Sequence, residues 1–324
     1  LDKYKLKKTI HQFFPIDHYF LISKFLKYWR PHIAIFVDSE IWPGMSTALK
    51  NKKIPLILIN ARITKKSFKK WLKLRAFSKS IFNKITVAYP QNKETKKYLK
   101  ELKVNNIKDV GNLKIIENTQ DKQDNIGNKL NIQFKKYKTW VAASTHDGEE
   151  IFCAKAHIEL KKKNKNLITI IIPRHIHRVQ DIISQIQNLN LKVVTHSSKI
   201  KTLKNVDIYV VDTFGDSQKF FKISNTVLMG KFLVVKGSQN PLEAVRYGAK
   251  ILHGPNYNNF KDIFKLLKSL KISEKITTIK QLVTAITFKK DLRRSFKIKK
   301  IGVLILKKTL KELEIYINNE PKKT

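Results

Sequence analysis

Short apolar runs recur along this chain, each closed by a knot of polar residues and followed by a longer amphipathic stretch. The runs at 33–37, 56–59 and 85–89, and later at 139–143, 167–172, 191–195, 206–211, 226–229 and 250–253, are continuous rather than alternating. That is the pattern of strands buried on both faces of a parallel sheet. Between them apolar residues fall at helical spacing: an aromatic-rich segment reaching residue 28, a basic one over 67–82, and runs opening after Asp147, Arg174, Gly215, Pro241 and Asn259. Residues 10–14 read as a further short strand and 107–110 as a weaker one before Gly111, while 304–317 predict a closing helix. Alternation of strand and helix predicts the α/β class with doubly wound domains. With 324 residues two domains are expected. The polar composition of 117–131 marks the join, giving a first domain over 1–120, a linker over 121–134, a second domain over 135–303 and a closing helix over 304–324.

Charge narrows the partners. Lysine and arginine number 66 against 25 acidic residues, a formal net charge of +41, which favours anionic partners: nucleic acid, phosphorylated small molecules or an anionic membrane face. Abundant Lys, Ile and Asn throughout is also what an AT-rich coding sequence produces without selection for binding. Cys153 is the single cysteine, so neither a disulfide framework nor a thiolate metal site is expected, and its apolar helical setting reads as core. No apolar stretch reaches the roughly 18 residues of a spanning helix, and no signal-peptide pattern opens the chain.

Candidate chemistry gathers just after the strands, where open α/β sheets bind ligands. The stretch Gly237-Ser238-Gln239-Asn240-Pro241-Leu242-Glu243 follows an apolar strand and opens a helix. Glycine permits close backbone approach, Asn240 suits a cap, Pro241 the first turn, and the free N–H groups favour an anion. Glu243 is placed to accept from ribose hydroxyls; an ordinary helix cap explains the same letters. Glu40, beside Trp42 and Pro43, reads either as a carboxylate positioned at a crevice or as a helix N-terminal charge. Ser144, Thr145 and His146, ahead of Glu149 and Glu150, read either as a phosphate or sugar site or as a capping box. His146 has no ligand partner at metal spacing, so zinc is not expected. Pro173 and Arg174 end the most apolar strand, and an arginine there suits a phosphodiester or carboxylate. Phe214, Gly215 and Asp216 form a further turn, with Phe214 able to stack on a base. Lys114 and Arg62 are candidates to supply positive charge at an interdomain crevice, although in a chain this basic any single lysine is weak evidence. No P-loop, dinucleotide fingerprint or Ser-His-Asp order is present, which points to a mononucleotide held by one domain.

Taken in order, DSEIWP around Glu40, NARITKKSF at 60–68, GNLK ending at Lys114, ASTHDGEE at 143–150, PRH at 173–175, DTFGD at 212–216, GSQNPLEA at 237–244 and GPNYNNFKDI at 254–263 resemble the family of 3-deoxy-D-manno-octulosonic acid (Kdo) transferases over nearly the whole chain. The resemblance implies a two-domain GT-B glycosyltransferase fold, with two Rossmann-like domains facing a cleft and the first incomplete at its N-terminus. It implies transfer of Kdo from CMP-Kdo to a lipid A precursor in lipopolysaccharide biosynthesis, inverting and metal-independent, with no cofactor. The family's CMP contacts fall on Pro173, Arg174, Phe214, Gly215, Asp216, Asn240, Pro241, Leu242 and Glu243, and its transition-state stabilisers on Glu40 and Lys114. Ser144, Thr145 and His146 become donor-sugar contacts. The implied partners are the donor, the acceptor and an anionic membrane surface, with no specific nucleic acid, at the cytoplasmic face of the bacterial inner membrane. The chain departs from the family in carrying Gly237, Ser238 and Gln239 where Gly-Gly-His is common, and Asp216 where Glu is. The family's general-base glutamate and membrane-associating segment lie upstream of the region matched by Leu1, so a truncated transferase that holds donor but transfers poorly is expected. The rival readings are another nucleotide-sugar enzyme, a catalytically silent fragment acting as a scaffold, and a basic nucleic-acid-binding protein.

Overall fold

The computed structural model describes residues 8–116, 126–231, 233, 239–257 and 260–318. The chain divides into two compact units, one of residues 1–116 with 303–324 and the other of 117–302.

The first unit is built on three parallel strands in the order β1 (Ala34–Val37), β2 (Leu56–Ala61), β3 (Val87–Pro90). Side chains alternate across a strand, and here both sides are apolar. Leu56 and Leu58 join Ile22 and Leu26 of α1 (Tyr19–Trp29), Met45 and Leu49 of α2 (Pro43–Asn51), Phe68 of α3 (Lys65–Lys73), Phe82 of α4 (Arg75–Phe82) and Leu99 of α5 (Lys93–Glu101). Ile57, Val87 and Tyr89 turn to the other face and are covered by Leu313 and Tyr316 of the final helix, Arg293–Asn318. Glu312 of that helix accepts from the Tyr89 hydroxyl at 3.3 Å and the Lys108 ammonium at 2.6 Å.

The second unit contains α6 (Asn128–Phe134), β4 (Lys138–Thr145), α7 (Glu149–Lys161), β5 (Leu167–Pro173), α8 (Val179–Gln187), β6 (Val193–Thr195), β7 (Ile208–Val210), α9 (Ser217–Ile223), β8 (Thr226–Met229), α10 (Leu242–Arg246), β9 (Lys250–His253), α11 (Lys261–Ser269), β10 (Ser273–Lys275) and α12 (Ile279–Ala285); the final helix is α13. Its sheet runs β10-β9-β8-β4-β5-β7-β6, every pair parallel. Connections leave β4 toward β5 on one side, and later return to β8 on the other. The carboxyl ends of β4 and β8 therefore flank the switch point, where open sheets bind ligands.

Five sequence expectations change. Residues 10–14 form no strand, because they find no ladder partner; Ile10 and Phe13 are exposed. The helix over 67–82 is two helices broken at Leu74, whose φ −110 and ψ 57 are not helical; the bend sets Trp71 edge-on against Phe82 at 5.2 Å. At 107–110 there is only a bridge from Ile107 to Ala88. The stretch read as linker contains α6, because Phe134 is buried against Tyr209 and Phe220 and anchors it despite polar neighbours. The closing helix starts at Arg293 rather than 304, since Ile298 and Ile305 continue one buried stripe. Among the described residues no helix is long and apolar enough to cross a membrane.

One buried group ties this core to pH. His157 of α7 is fully enclosed, with Nδ1 2.9 Å from the Thr169 hydroxyl and Nε2 3.5 Å from Asp207. Asp207 is already ion-paired with Lys161, so burial dominates, Lys161 adds repulsion, and the imidazole pKa is pushed down to about 4. Unfolded chains take up this proton near the ordinary value of about 6.5. Stability is thus intact above that pH and is lost as pH falls from about 6.5 toward about 4, by about 3 kcal/mol for this group. Urea midpoints at the two ends of that window will diverge in the wild-type protein and converge in His157→Gln; equal slopes would show that another group titrates.

Candidate functional site

In the first unit the strand ends form a hydrogen-bonded platform. Asp38, just past β1, adopts φ 62 and Asn60, in β2, φ 50, a left-handed conformation that Asp and Asn tolerate best among residues other than glycine. The turn lets Asp38 donate its N–H to Ile59 and accept from Arg62. Asn60 is buried, and its Oδ1 accepts the Leu113 N–H at 3.1 Å. Asn112 Oδ1 accepts the Lys114 N–H at 3.0 Å, closing the 3-10 turn Leu113–Ile115. Lys114 is thereby carried to Asp38, with Nζ 3.3 Å from Oδ2. Gly111 makes room for this loop: at φ 107 it passes so near Ile305 that a Cβ would sit 2.8 Å from Cγ1.

Glu40 follows two residues after Asp38, exposed, with Oε2 accepting from Trp42 Nε1 at 2.8 Å. The N–H groups at the start of α2 go instead to Asp17, which accepts from Gly44 and Met45 at 2.9 and 2.8 Å. Glu40 is left to the surface. Asp38, Asn60 and Asp17 were not singled out as positioning groups from the sequence; Asp or Asn beside a strand end is the signal that marks the first two.

In the second unit β4 and β8 nearly touch at their carboxyl ends. Gly230 donates its N–H to Ala143 at 2.7 Å, and Ser144 turns away at φ 57. Thr145 is buried and its hydroxyl donates to Glu150 at 2.9 Å. Glu150 also accepts from Arg178 at 3.1 Å, and Arg178 pairs with Asp147 at 2.7 Å. Glu149 is buried and accepts three backbone N–H groups: His146 at 3.0 Å, Lys231 at 2.8 Å and Leu233 at 2.9 Å. The two glutamates therefore organise the loops after β4 and β8 rather than serve a capping box; the N-cap of α7 is Gly148, with no side-chain cap bond.

His146 lies in a strongly cationic setting. Burial first, then Lys231, His175, Arg178 and Arg174, hold its pKa below the ordinary histidine value, so it is neutral at pH 7. The His175 ring meets it edge-on at 5.7 Å. Arg174, exposed after buried Pro173, donates its N–H to Thr145 at 3.0 Å and has no side-chain partner among the described residues.

The turn beyond β7 carries Phe214, 84% exposed, and Gly215 at φ 84. Asp216 is held by Lys219 at 2.7 Å and by Thr213; burial raises its pKa, but these hydrogen bonds prevail and lower it. Its carboxylate is thus spent on the turn, leaving ring and backbone to a ligand. Asn240 Oδ1 accepts the Leu242 N–H at 3.2 Å while Pro241 occupies the N-cap position. The expected cap is shifted by one residue, and Glu243 stands in the first turn. Gly237 and Ser238 lie outside the described residues.

Residues 2–116 match the profile of a family described as 3-deoxy-D-manno-octulosonic-acid transferase. A 3-deoxy-D-manno-octulosonic acid transferase of Rickettsia felis is 31% identical over 282 residues, covering 87% of this chain and 60% of that protein. The chain is similar to Kdo transferases over most of its length. A second member, from Haemophilus influenzae, is 26% identical over 296 residues, covering 88% of this chain and 68% of its own. The chain thus spans about 60% of the length of the first of these relatives. In fold it is similar to a trehalose-6-phosphate synthase, OtsA, over 94% of this chain and 76% of that one, with a TM-score of 0.54 at 11% identity. Its two α/β units are of the GT-B type, as the family resemblance implies.

Proposed function

We propose that this chain carries the donor-binding and transition-state residues of a transferase that moves Kdo from CMP-Kdo to a lipid A precursor. The observation that carries the reading is the cluster at the strand ends of the second sheet, where exposed Arg174 follows β5 with no side-chain partner among the described residues and the His175 ring meets His146 at 5.7 Å. Such a cluster suits an anionic ligand. In this reading Arg174 binds the CMP phosphate, whose leaving charge it stabilises; Pro173 contributes backbone beside it. Phe214 stacks on the base over the Gly215 and Asp216 backbone. Asn240, Pro241 and Leu242 shape the turn that presents Glu243 to the ribose. Ser144 and His146 face the sugar, Thr145 acting through its bond to Glu150.

Chemically, an acceptor hydroxyl oxygen attacks the anomeric carbon, the carbon–phosphate oxygen bond breaks with inversion, CMP departs as the anion, and the hydroxyl proton passes to a base. Glu40 and Lys114 take the transition-state role that the resemblance assigns them. Metal independence is part of the proposal: arginine and backbone N–H groups supply the positive charge. The acceptor places the working enzyme against the anionic cytoplasmic face of the inner membrane.

Calorimetric titration of residues 1–324 with CMP at moderate salt tests the donor site. Removing one charge-assisted contact costs about 1.5–3 kcal/mol, so Arg174→Ala and Glu243→Ala are each expected to weaken CMP binding about tenfold or more. A folded wild-type protein that ignores CMP, or prefers UDP, would overturn the reading.

A further inference from the structure

We infer that a cavity at the amino ends of β4 and β8 is a second ligand site, with the chemistry to take a nucleoside di- or triphosphate. The cavity has a volume of about 500 Å³, inside the range of about 300–1,000 Å³ for small-molecule sites. Lys138 and Thr139 open β4 and Asn225 precedes β8, so the cavity lies at the other end of both strands from Ser144 and Gly230 and is separate from the donor site. Its walls are pinned across the fold: the Thr139 hydroxyl donates to the Ile223 carbonyl at 3.0 Å, and Asn225 Nδ2 to the Phe288 carbonyl at 2.6 Å. Five lysines line it, and no carboxylate does among the described residues. Lys219 is committed to Asp216, and Lys222 stands 5.5 Å from the Tyr247 ring. The other three arrive from separate segments: Lys135 after α6, Lys138 at the start of β4 and Lys290 beyond α12.

Composition alone does not account for this grouping. Lys96, Lys108 and Lys161 are each met by a carboxylate from elsewhere in the chain, Asp109, Glu312 and Asp207. Lys135, Lys138 and Lys290 have no carboxylate partner among the described residues; Lys138 donates to the Asn164 amide oxygen at 2.7 Å and Lys290 to the Lys222 carbonyl at 3.5 Å. Ammonium groups held round one recess repel one another. An anion with several charged oxygens offsets that repulsion through charge-assisted hydrogen bonds. Half-buried Ile223 and Phe288 complete the wall, and Lys138 Nζ stands 5.5 Å from the Phe288 ring centroid, so charge and aromatic face lie side by side. Linked phosphates suit the lysines and a base suits the ring; a nucleotide supplies both in one small molecule. The inference does not rest on the donor reading, and CMP binding is read separately, so either can fail alone.

The test is calorimetric titration of residues 1–324 with ATP at moderate salt. The wild-type protein is expected to bind ATP, and to bind inorganic pyrophosphate more weakly because the ring contact is lost. Lys135→Glu/Lys290→Glu is expected to weaken ATP binding about tenfold or more while keeping CMP affinity; Lys135→Gln/Lys290→Gln, which removes the charge without reversing it, serves should the first pair misfold. Lys265→Glu/Lys268→Glu makes the same change of net charge at exposed lysines of α11 outside the cavity, and should bind ATP as the wild type does. Arg174→Ala should also keep ATP. The proposal fails if the wild-type protein ignores ATP, if pyrophosphate binds as tightly, if the folded cavity variants bind ATP as well as wild type, or if the α11 pair or Arg174→Ala weakens ATP as much as the cavity pair does.

Discussion

Gly230→Ala is expected to destabilise the second unit by about 3 kcal/mol or more, at the upper end of what overpacking costs, and to abolish CMP binding with it. A Cβ at this position would stand 2.1 Å from the Ser144 carbonyl oxygen and 2.8 Å from the Thr145 Cα. Both obstacles are main chain, so no rotamer change relieves them. Ser144 is already at φ 57, and Gly230 is held in place by its own N–H bond to Ala143. The only relief is separation of β4 from β8, which opens the switch point on which the donor reading depends. Gly148→Ala is the matched control: its φ of 79 favours glycine, yet nothing lies within 4 Å of an added Cβ, so a loss of about 1–2 kcal/mol is expected. Urea denaturation of the two variants measures the contrast. Similar midpoints would mean that the strands separate at little cost.

The buried strands were legible because a continuous apolar run has few other uses, and β2, β4, β5 and β8 fall where such runs occur. β10 was not legible: Ser273–Lys275 is short and polar, and is a strand only because β9 offers it an edge. The break at Leu74 was equally hidden, since the apolar spacing of 67–82 continues through it. At the sites, motif positions could be read but bond partners could not. ASTHDGEE displays two glutamates ahead of a helix, which local rules assign to its dipole; the fold turns them on the β4 turn, the loop after β8, and Arg178. DSEIWP likewise displays Glu40 before α2, while the group that takes the start of that helix is Asp17, far away in sequence. Long-range partners leave no local pattern, and both motifs take part of their bonding from such partners.

Glu149 is the sharper test of that organisation. Its buried carboxylate accepts N–H groups from both sides of the switch point, His146 after β4 and Lys231 and Leu233 after β8. Deleting it leaves these donors without their acceptor in a part-buried site, at up to about 1–3 kcal/mol per group before relaxation. Glu149→Ala is therefore expected to cost about 3–5 kcal/mol in total, with faster amide exchange at Lys231 and Leu233 than the change in global stability explains. Glu149→Gln keeps one acceptor oxygen but places an amide donor where the other stood, opposite an N–H. It should recover part of the stability, since an amide oxygen in the Oε2 place keeps the His146 and Lys231 bonds and loses only the one from Leu233. Because the Lys231 and His146 N–H groups share one carboxylate oxygen of Glu149, loosening the loop also releases the turn that carries His146, and CMP affinity should fall in the order wild type, Gln, Ala. Unchanged exchange at Lys231 and Leu233 in the alanine variant would show that the loop is held by other contacts, and that Glu149 serves α7 alone.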